Sequence, residues 1–236
     1  MHSRSLGAMV AALLLPAAGC CVCRMAPAAG RTPRPAAEPG VSVPRRSQPS
    51  GEKVGEESFR SPGLPRFTQH ATVGAAWRVA GGVLEVSGAG DQSVLIRDGS
   101  VVEDGWVEVR SDHADEGGLV LRFVDNDNYY LLAFRDDGSL LGFRNVEFFR
   151  RRAGHFQILT PGYGKDIPWP RGVERTVRFE AVENVLRVYV DGVLVDSVAD
   201  PEPIMQPGAV GLRYHDVPEA PGSDFSRYRS LRWQAY

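Results

Sequence analysis

Short runs of β-branched and aromatic residues follow one another from about Arg66 to the C-terminus, each closed by glycine, aspartate or asparagine. They read GGVLEVSG, SVLIRDG, GWVEVRS, GLVLRFV, NYYLLAFRDDG, RTVRFEAVENVLRVYVDGVLVDSV, GAVGLRYHD and RYRSLRW. No window among them carries a helical period long enough to predict a helix. Closely spaced short strands with turn signals predict an all-β protein, an antiparallel two-sheet sandwich. The clearest hairpin is LRVYVDGVLVDSV, where Asp191-Gly192 can supply the positive φ angles of a two-residue type I′ turn.

The first part of the chain reads differently. MHSRSLGAMVAALLLPAAGC starts with a positive charge at Arg4, runs apolar from Leu6 to Ala18 and ends in small residues. That is the layout of a secretory signal peptide, and it falls short of the roughly 18 apolar residues a membrane span needs. Ala17-Ala18-Gly19-Cys20 resembles a bacterial lipobox, although leucine is commoner where Ala17 stands. The resemblance implies lipidation of Cys20 and a membrane attachment through that lipid. Cys20, Cys21 and Cys23 are the three cysteines of the chain, so the folded part has no disulfide framework.

Residues 1–19 are therefore expected to be the signal peptide. Residues 20–63, rich in Pro, Ala and Arg and poor in large apolar side chains, are expected to be a disordered tether. Residues 64–236 are left as the folded domain. The expected location is outside the cytoplasm, anchored to the bacterial cell envelope or else secreted. A net charge of −2 gives no electrostatic reason to expect nucleic acid as a partner. Arg150-Arg151-Arg152, the one basic run, reads as the solvated edge of a strand or loop.

Several segments together resemble the concanavalin A-like lectin/glucanase superfamily. They are WRVAGGVLEV from Trp77, GLVLRFVDNDNYY from Gly118, LRVYVDGVLV from Leu186, GAVGLR from Gly208 and DFSRYRSLRW from Asp224. The pattern is similar to laminin-G-like jelly rolls and to the domain named for 3-keto-disaccharide hydrolases, and it covers the chain from about Phe67 to Trp233. The resemblance implies a jelly-roll sandwich. It does not imply one chemistry, because that superfamily holds lectins, glycosidases, adhesion modules and spacers.

Period-two alternation assigns faces. Val107 and Val109 point one way, and Trp106, Glu108 and Arg110 the other. Leu119, Leu121 and Phe123 form one face, with Arg122 opposite. Tyr130, Leu132 and Phe134 are expected in the core, with Tyr129 and Arg135 opposite. If those second faces lie side by side, Trp106, Glu108, Arg110, Arg122, Tyr129 and Arg135 share one outward surface. The resemblance implies that this is the concave sheet that meets sugars. Aromatic rings stack on the apolar faces of sugars, and charged groups hydrogen-bond their hydroxyls. The expected function is non-catalytic binding of a carbohydrate or another envelope component. The alternatives are a glycoside-cleaving enzyme and a structural or protein-interaction module.

No residue is assigned a catalytic role. Laminarinase-like relatives place carboxylates as Glu-x-Asp-x-Glu along one strand, and the nearest arrangement here is Glu108 and Asp112 with Arg110 between them. Asp112 also opens SDHADEGG, whose composition predicts a loop. His70, His113, His155 and His215 are scattered and read as surface residues. Asp125-Asn126-Asp127-Asn128 is expected to be a tight corner between strands, since Asp and Asn tolerate left-handed backbone and bond their own main chain. The EF-hand glycine and closing glutamate are missing. No cofactor is assigned; a structural calcium beside Asp224 is what some relatives would add.

Overall fold

The computed structural model describes residues 51–71, 75–88, 92–137, 145–162, 164–215 and 225–236. The first strands are β1 (Val54–Glu57), β2 (Phe67–Ala71), β3 (Ala76–Ala80), β4 (Val83–Ser87) and β5 (Ser93–Arg97). Next come β6 (Gly105–Ala114), β7 (Gly117–Asp125), β8 (Asn128–Phe134), β9 (Asn145–Arg152), β10 (His155–Ile158) and β11 (Lys165–Asp166). The chain closes with β12 (Arg175–Val182), β13 (Val185–Val190), β14 (Val193–Ala199), β15 (Ala209–Tyr214) and β16 (Phe225–Ala235).

These strands make two antiparallel sheets, as the alternation predicts. The first runs β14-β13-β12-β6-β16-β4-β3, with β1 also on β16; the second runs β10-β9-β8-β7-β15-β5-β2, with β11 also on β9. Between them Val107, Val109, Val177, Phe179, Leu231 and Trp233 of the first sheet pack with Leu119, Leu121, Tyr130, Leu132, Phe134 and Phe148 of the second. Asp191 and Gly192 both have positive φ, 50° and 79°, and join β13 to β14 across the Val190–Val193 pair. The predicted type I′ hairpin is present.

The ordered domain begins before the expected boundary at residue 64. β1 pairs with β16 over Val54–Glu57, inside the stretch expected to be tether. Composition missed it because this strand brings almost no apolar surface of its own: Val54 is exposed. Backbone bonds to a strand already in place hold it, and Gly55 leaves the space that the Trp233 ring occupies, 2.2 Å from where a Cβ would sit. A second correction concerns SDHADEGG. β6 runs through Ala114 and β7 starts at Gly117, so Asp112 and His113 are strand residues.

The largest departure from alternation is at Arg122. Its φ is 52°, and the pairing of β7 slips on both sides of it, against β8 and against β15. Such a bulge reverses the parity of everything after it. Arg122 therefore turns into the sandwich, and Phe123, expected in the core, moves to the outer face of the second sheet. Gly208 of the facing chain makes room, since a Cβ there would lie 2.5 Å from the Arg122 carbonyl carbon.

Candidate functional site

The six residues expected on one surface are distributed over three places. Trp106, Glu108 and Arg110 lie on β6, on the outer face of the first sheet and opposite the buried Val107 and Val109, as alternation requires. Trp106 is not open to solvent there; it is 8% exposed. The Arg178 guanidinium covers it at 4.3 Å from the ring centroid and that of Arg232 approaches at 5.9 Å. Both arginines also bind Glu108, Arg178 through Nη2 at 2.7 Å and Arg232 through Nη1 at 3.1 Å. Arg110 pairs with Glu174, not with Glu108.

Arg122 is in the interior. Its guanidinium, wholly buried, donates to the carbonyls of Glu103, Glu183 and Ile204 at 2.5, 2.9 and 2.7 Å and to Asp104 Oδ1 at 3.0 Å. It ties the end of one sheet to loops of the other. This is a structural arginine, and it leaves the ligand-facing set.

Tyr129 and Arg135 lie on the outer face of the second sheet, the opposite side of the molecule from Trp106. There the bulge at Arg122 produces a row of rings that alternation could not predict. His70 is 4.8 Å from Phe123, Phe123 is 5.6 Å from Tyr129, and Tyr129 is 6.1 Å from Phe156. Arg151 lies over the last two rings, 5.9 Å from Tyr129 and 4.9 Å from Phe156. Phe123 and Tyr129, both buried, form with Val94, Ile96, Val120 and Leu131 a second apolar cluster outside the main core. Phe156, on the edge strand β10, is 41% exposed and is where the row meets solvent.

Arg135 stands at the other end of this face in a buried charged group. Its Nε donates to Glu116 and its Nη1 to Glu147 at 2.8 Å; Arg213 donates to Glu116 at 3.2 Å and to Gln92 at 2.9 Å. Glu116 and Glu147 thus share one arginine. Sequence reading passed over both glutamates because nothing in their local pattern marks them; only pairing of β7, β8, β9 and β15 gathers them.

The carboxylates singled out for catalysis are both arginine-bound. Asp112 takes Arg227 Nη2 at 2.7 Å and Arg229 Nη2 at 2.6 Å. Burial pushes its carboxyl up, but the hydrogen bonds and charges of these two arginines outweigh that and hold it below the ordinary range. Two further expectations need correction. His113 is buried and stacked on Phe225 at 3.7 Å, because β6 extends further than its composition suggested. Arg150 is also buried, bound to Asp200 at 2.6 Å and Glu202 at 3.0 Å; of the basic run only Arg152 is exposed.

The Asp125–Asn128 tetrapeptide is the corner between β7 and β8. Asp125 Oδ1 accepts from the Asp127 backbone and from the Asn128 side chain, both at 2.8 Å, and Asn128 Oδ1 accepts from the Ala153 backbone at 3.2 Å. Two of the tetrapeptide's side-chain oxygens, Asp125 Oδ1 and Asn128 Oδ1, are thus used by the turn. Among the described residues no group of three or more His, Cys, Asp or Glu is placed to hold a metal. Asp224 and Cys20 lie outside the described residues.

No family model matches the sequence, and no curated protein does. Solved structures do. A Bacillus subtilis protein of unknown function with a galectin-like fold gives a TM-score of 0.57 at 13% identity, over 78% of this chain and 96% of its own. Carbohydrate-binding module CBM66 from Bacillus subtilis gives 0.52 at 19%, over 72% and 92%. Porphyranase B from Zobellia galactanivorans gives 0.51 at 12%, over 76% and 90%. The fold is the concanavalin A-like jelly roll.

Proposed function

We propose that this chain is a non-catalytic carbohydrate-binding protein whose binding surface is the outer face of the second sheet. The observation that carries the reading is the exposed Phe156 ring with the Arg151 guanidinium over it, backed by the buried rings of Tyr129 and Phe123. Rings of this kind stack on the C–H faces of sugars, and the Arg151 N–H groups suit hydroxyl oxygens. Phe156 and Arg151 are the ligand-facing pair; Tyr129 and Arg135, 2% and 7% exposed, are buried and leave the expected ligand-facing set, and Phe123, also buried, does not enter it. Trp106, Glu108 and Arg110 lie on the other sheet and are left out of this site.

The fold is shared by a carbohydrate-binding module and by a porphyranase, so the choice between binding and cleavage rests on residues. A glycosidase needs one carboxyl group kept protonated as a proton donor. Glu108, Asp112, Glu116 and Glu147 are each bound by arginine, and Asp112 is shifted away from such a role. This favours binding. Export and lipid attachment at Cys20 would place the domain at the cell surface on its tether, within reach of envelope or external glycans.

The test is retention on immobilised polysaccharides, with a reducing-sugar assay on the same panel. Phe156→Ala and Arg151→Gln are expected to lose most of the retention, Trp106→Ala little of it, and no reducing ends should appear. Steady release of reducing sugar, or retention untouched by both second-sheet variants, would overturn the proposal.

A further inference from the structure

We infer that the chain forms a two-fold dimer by pairing β10 with β10 of a second copy, which joins the two second sheets into one continuous sheet. β10, the outermost strand of that sheet, reads His155-Phe156-Gln157-Ile158 and is bonded on one side only, to β9. All four residues are exposed, Phe156 by 41% and Ile158 by 55%. Edge strands are ordinarily guarded by a charge, a proline or a bulge. Of the other edges, β3 carries Arg78 paired with Glu85, and β14 carries Asp196 and a bulge. β10 has no Lys, Arg, Asp, Glu or Pro, and two apolar side chains stand on it instead.

The hairpin before β10 fixes which backbone groups are free. Ala153 and Gly154 have φ of 48° and 81° and join β9 to β10 as a two-residue turn. The pair that closes such a turn, Arg152 with His155, exchanges both hydrogen bonds, and alternation gives the same to Arg150 with Gln157. The Leu159 N–H, which donates to the Phe148 carbonyl at 2.8 Å, keeps that rhythm. The N–H and C=O groups of Phe156 and Ile158 therefore point away from β9, where no described backbone group meets them.

One antiparallel register uses all of these groups. With Gln157 on the two-fold axis, Phe156 of each copy lies opposite Ile158 of the other, and each such pair exchanges two hydrogen bonds. Phe156 and Ile158 share the outer face, so the register also sets two aromatic–aliphatic cross-strand contacts. Charge agrees. β11 continues the same edge, with the exposed Lys165 opposite Val146 and Asp166 opposite Asn145. Counted along β9 from the axis, Asp166 comes beside Arg152 of the second copy, and Lys165 beside its Ala153-Gly154 turn, which is bonded to Asp127. Symmetry supplies this match twice, which is what a second copy offers and an unrelated peptide does not. The pairing stands without the carbohydrate reading but bears on it. The two Phe156 residues become diagonal neighbours roughly 7–8 Å apart on one face, so each copy extends the other's ligand-facing surface.

A four-residue edge is small for an interface, so a weak, concentration-dependent dimer is expected. The first test is sedimentation velocity of the purified full-length chain from about 1 μM to about 1 mM, the span of weak association. Dimer mass should grow with concentration in the wild type and be lost in Ile158→Lys, whose melt should match the wild type because the side chain is largely exposed. Covalent trapping tests the register, in a chain carrying Cys20→Ser, Cys21→Ser and Cys23→Ser. Gln157 faces its own copy at a non-hydrogen-bonded position, about 4.5 Å between Cα atoms and within reach of a disulfide. His155 stands two residues off the axis, out of that reach. Gln157→Cys is therefore expected to crosslink on mild oxidation, and His155→Cys is not. A wild type that stays monomeric throughout, a folded Ile158→Lys that dimerises equally, or equal crosslinking of the two cysteine variants would each overturn the inference. A dimer that meets these tests but is retained on no polysaccharide would support the pairing and remove only the carbohydrate reading.

Discussion

The guanidinium carbon of Arg178 lies 4.3 Å from the centre of the Trp106 ring while Nε and Nη2 of the same group donate to Glu108 at 2.9 and 2.7 Å. One side chain therefore covers an aromatic face and neutralises the carboxylate two residues along the strand. A mid-strand tryptophan on an outer face wants a cover, and here the chain supplies it.

The first expectation follows from that cover. Trp106→Ala should lower the unfolding free energy by about 1–3 kcal/mol, through lost ring burial and a cation–π contact. Trp106→Phe should recover much of it. Urea denaturation measures both; an unchanged midpoint in the alanine variant would mean that the ring is not packed as described.

Arg122 should be the most sensitive charged residue tested. Arg122→Met strands three buried carbonyls and unpairs Asp104, for a cost of about 3 kcal/mol or more. Arg122→Lys should rescue it poorly, because an ammonium cannot form the same fork. Gly208→Ala pushes a methyl group into the backbone of the same bulge and should also destabilise, whereas Val109→Ala should show only an ordinary core truncation of about 1–3 kcal/mol.

Acid should weaken the first sheet. Asp112 and Glu180 are both below their ordinary values of 3.8 and 4.5 in the folded state, because arginine and tyrosine hydrogen bonds outweigh the burial that would raise them. The unfolded chain binds protons at higher pH than the folded one. The stability these groups contribute is thus present above about pH 4.5 and is lost as pH falls through their folded values. A melting curve series from pH 7 down to pH 3 should show the fall, and Asp112→Asn should flatten part of it. An unchanged slope in that variant would sink the assignment.

The corner at Asp125 gives a fourth expectation. Asp125→Ala should cost about 1 kcal/mol by removing two turn hydrogen bonds. EDTA should leave the melting temperature of the wild type where it was. A drop of many degrees, restored by calcium, would reveal a bound ion.

The anchor is tested by Cys20→Ser. Loss of lipid labelling, with release of the protein from the membrane fraction, is expected. Unaltered fractionation would dispose of the lipobox reading.

The strand runs, the Asp191-Gly192 hairpin, the inward set Val107, Val109, Leu119, Leu121, Tyr130, Leu132 and Phe134, and the corner at Asp125 were all legible in the sequence. Each depends on the period of a strand or the backbone tolerance of a turn residue, and both are local properties. Non-local relationships were not legible. The edge strand at Val54 exists because β16 offers free backbone groups and Gly55 admits Trp233. The inward turn of Arg122 exists because three distant carbonyls and Asp104 wait for it, and the bulge it requires sends Phe123 outside. Whether Trp106 was bare or covered depended on β12 and β16 lying beside β6, which alternation along one strand cannot reveal. The sequence determined which way most side chains point; only the pairing of strands far apart in the chain decided what each one meets there.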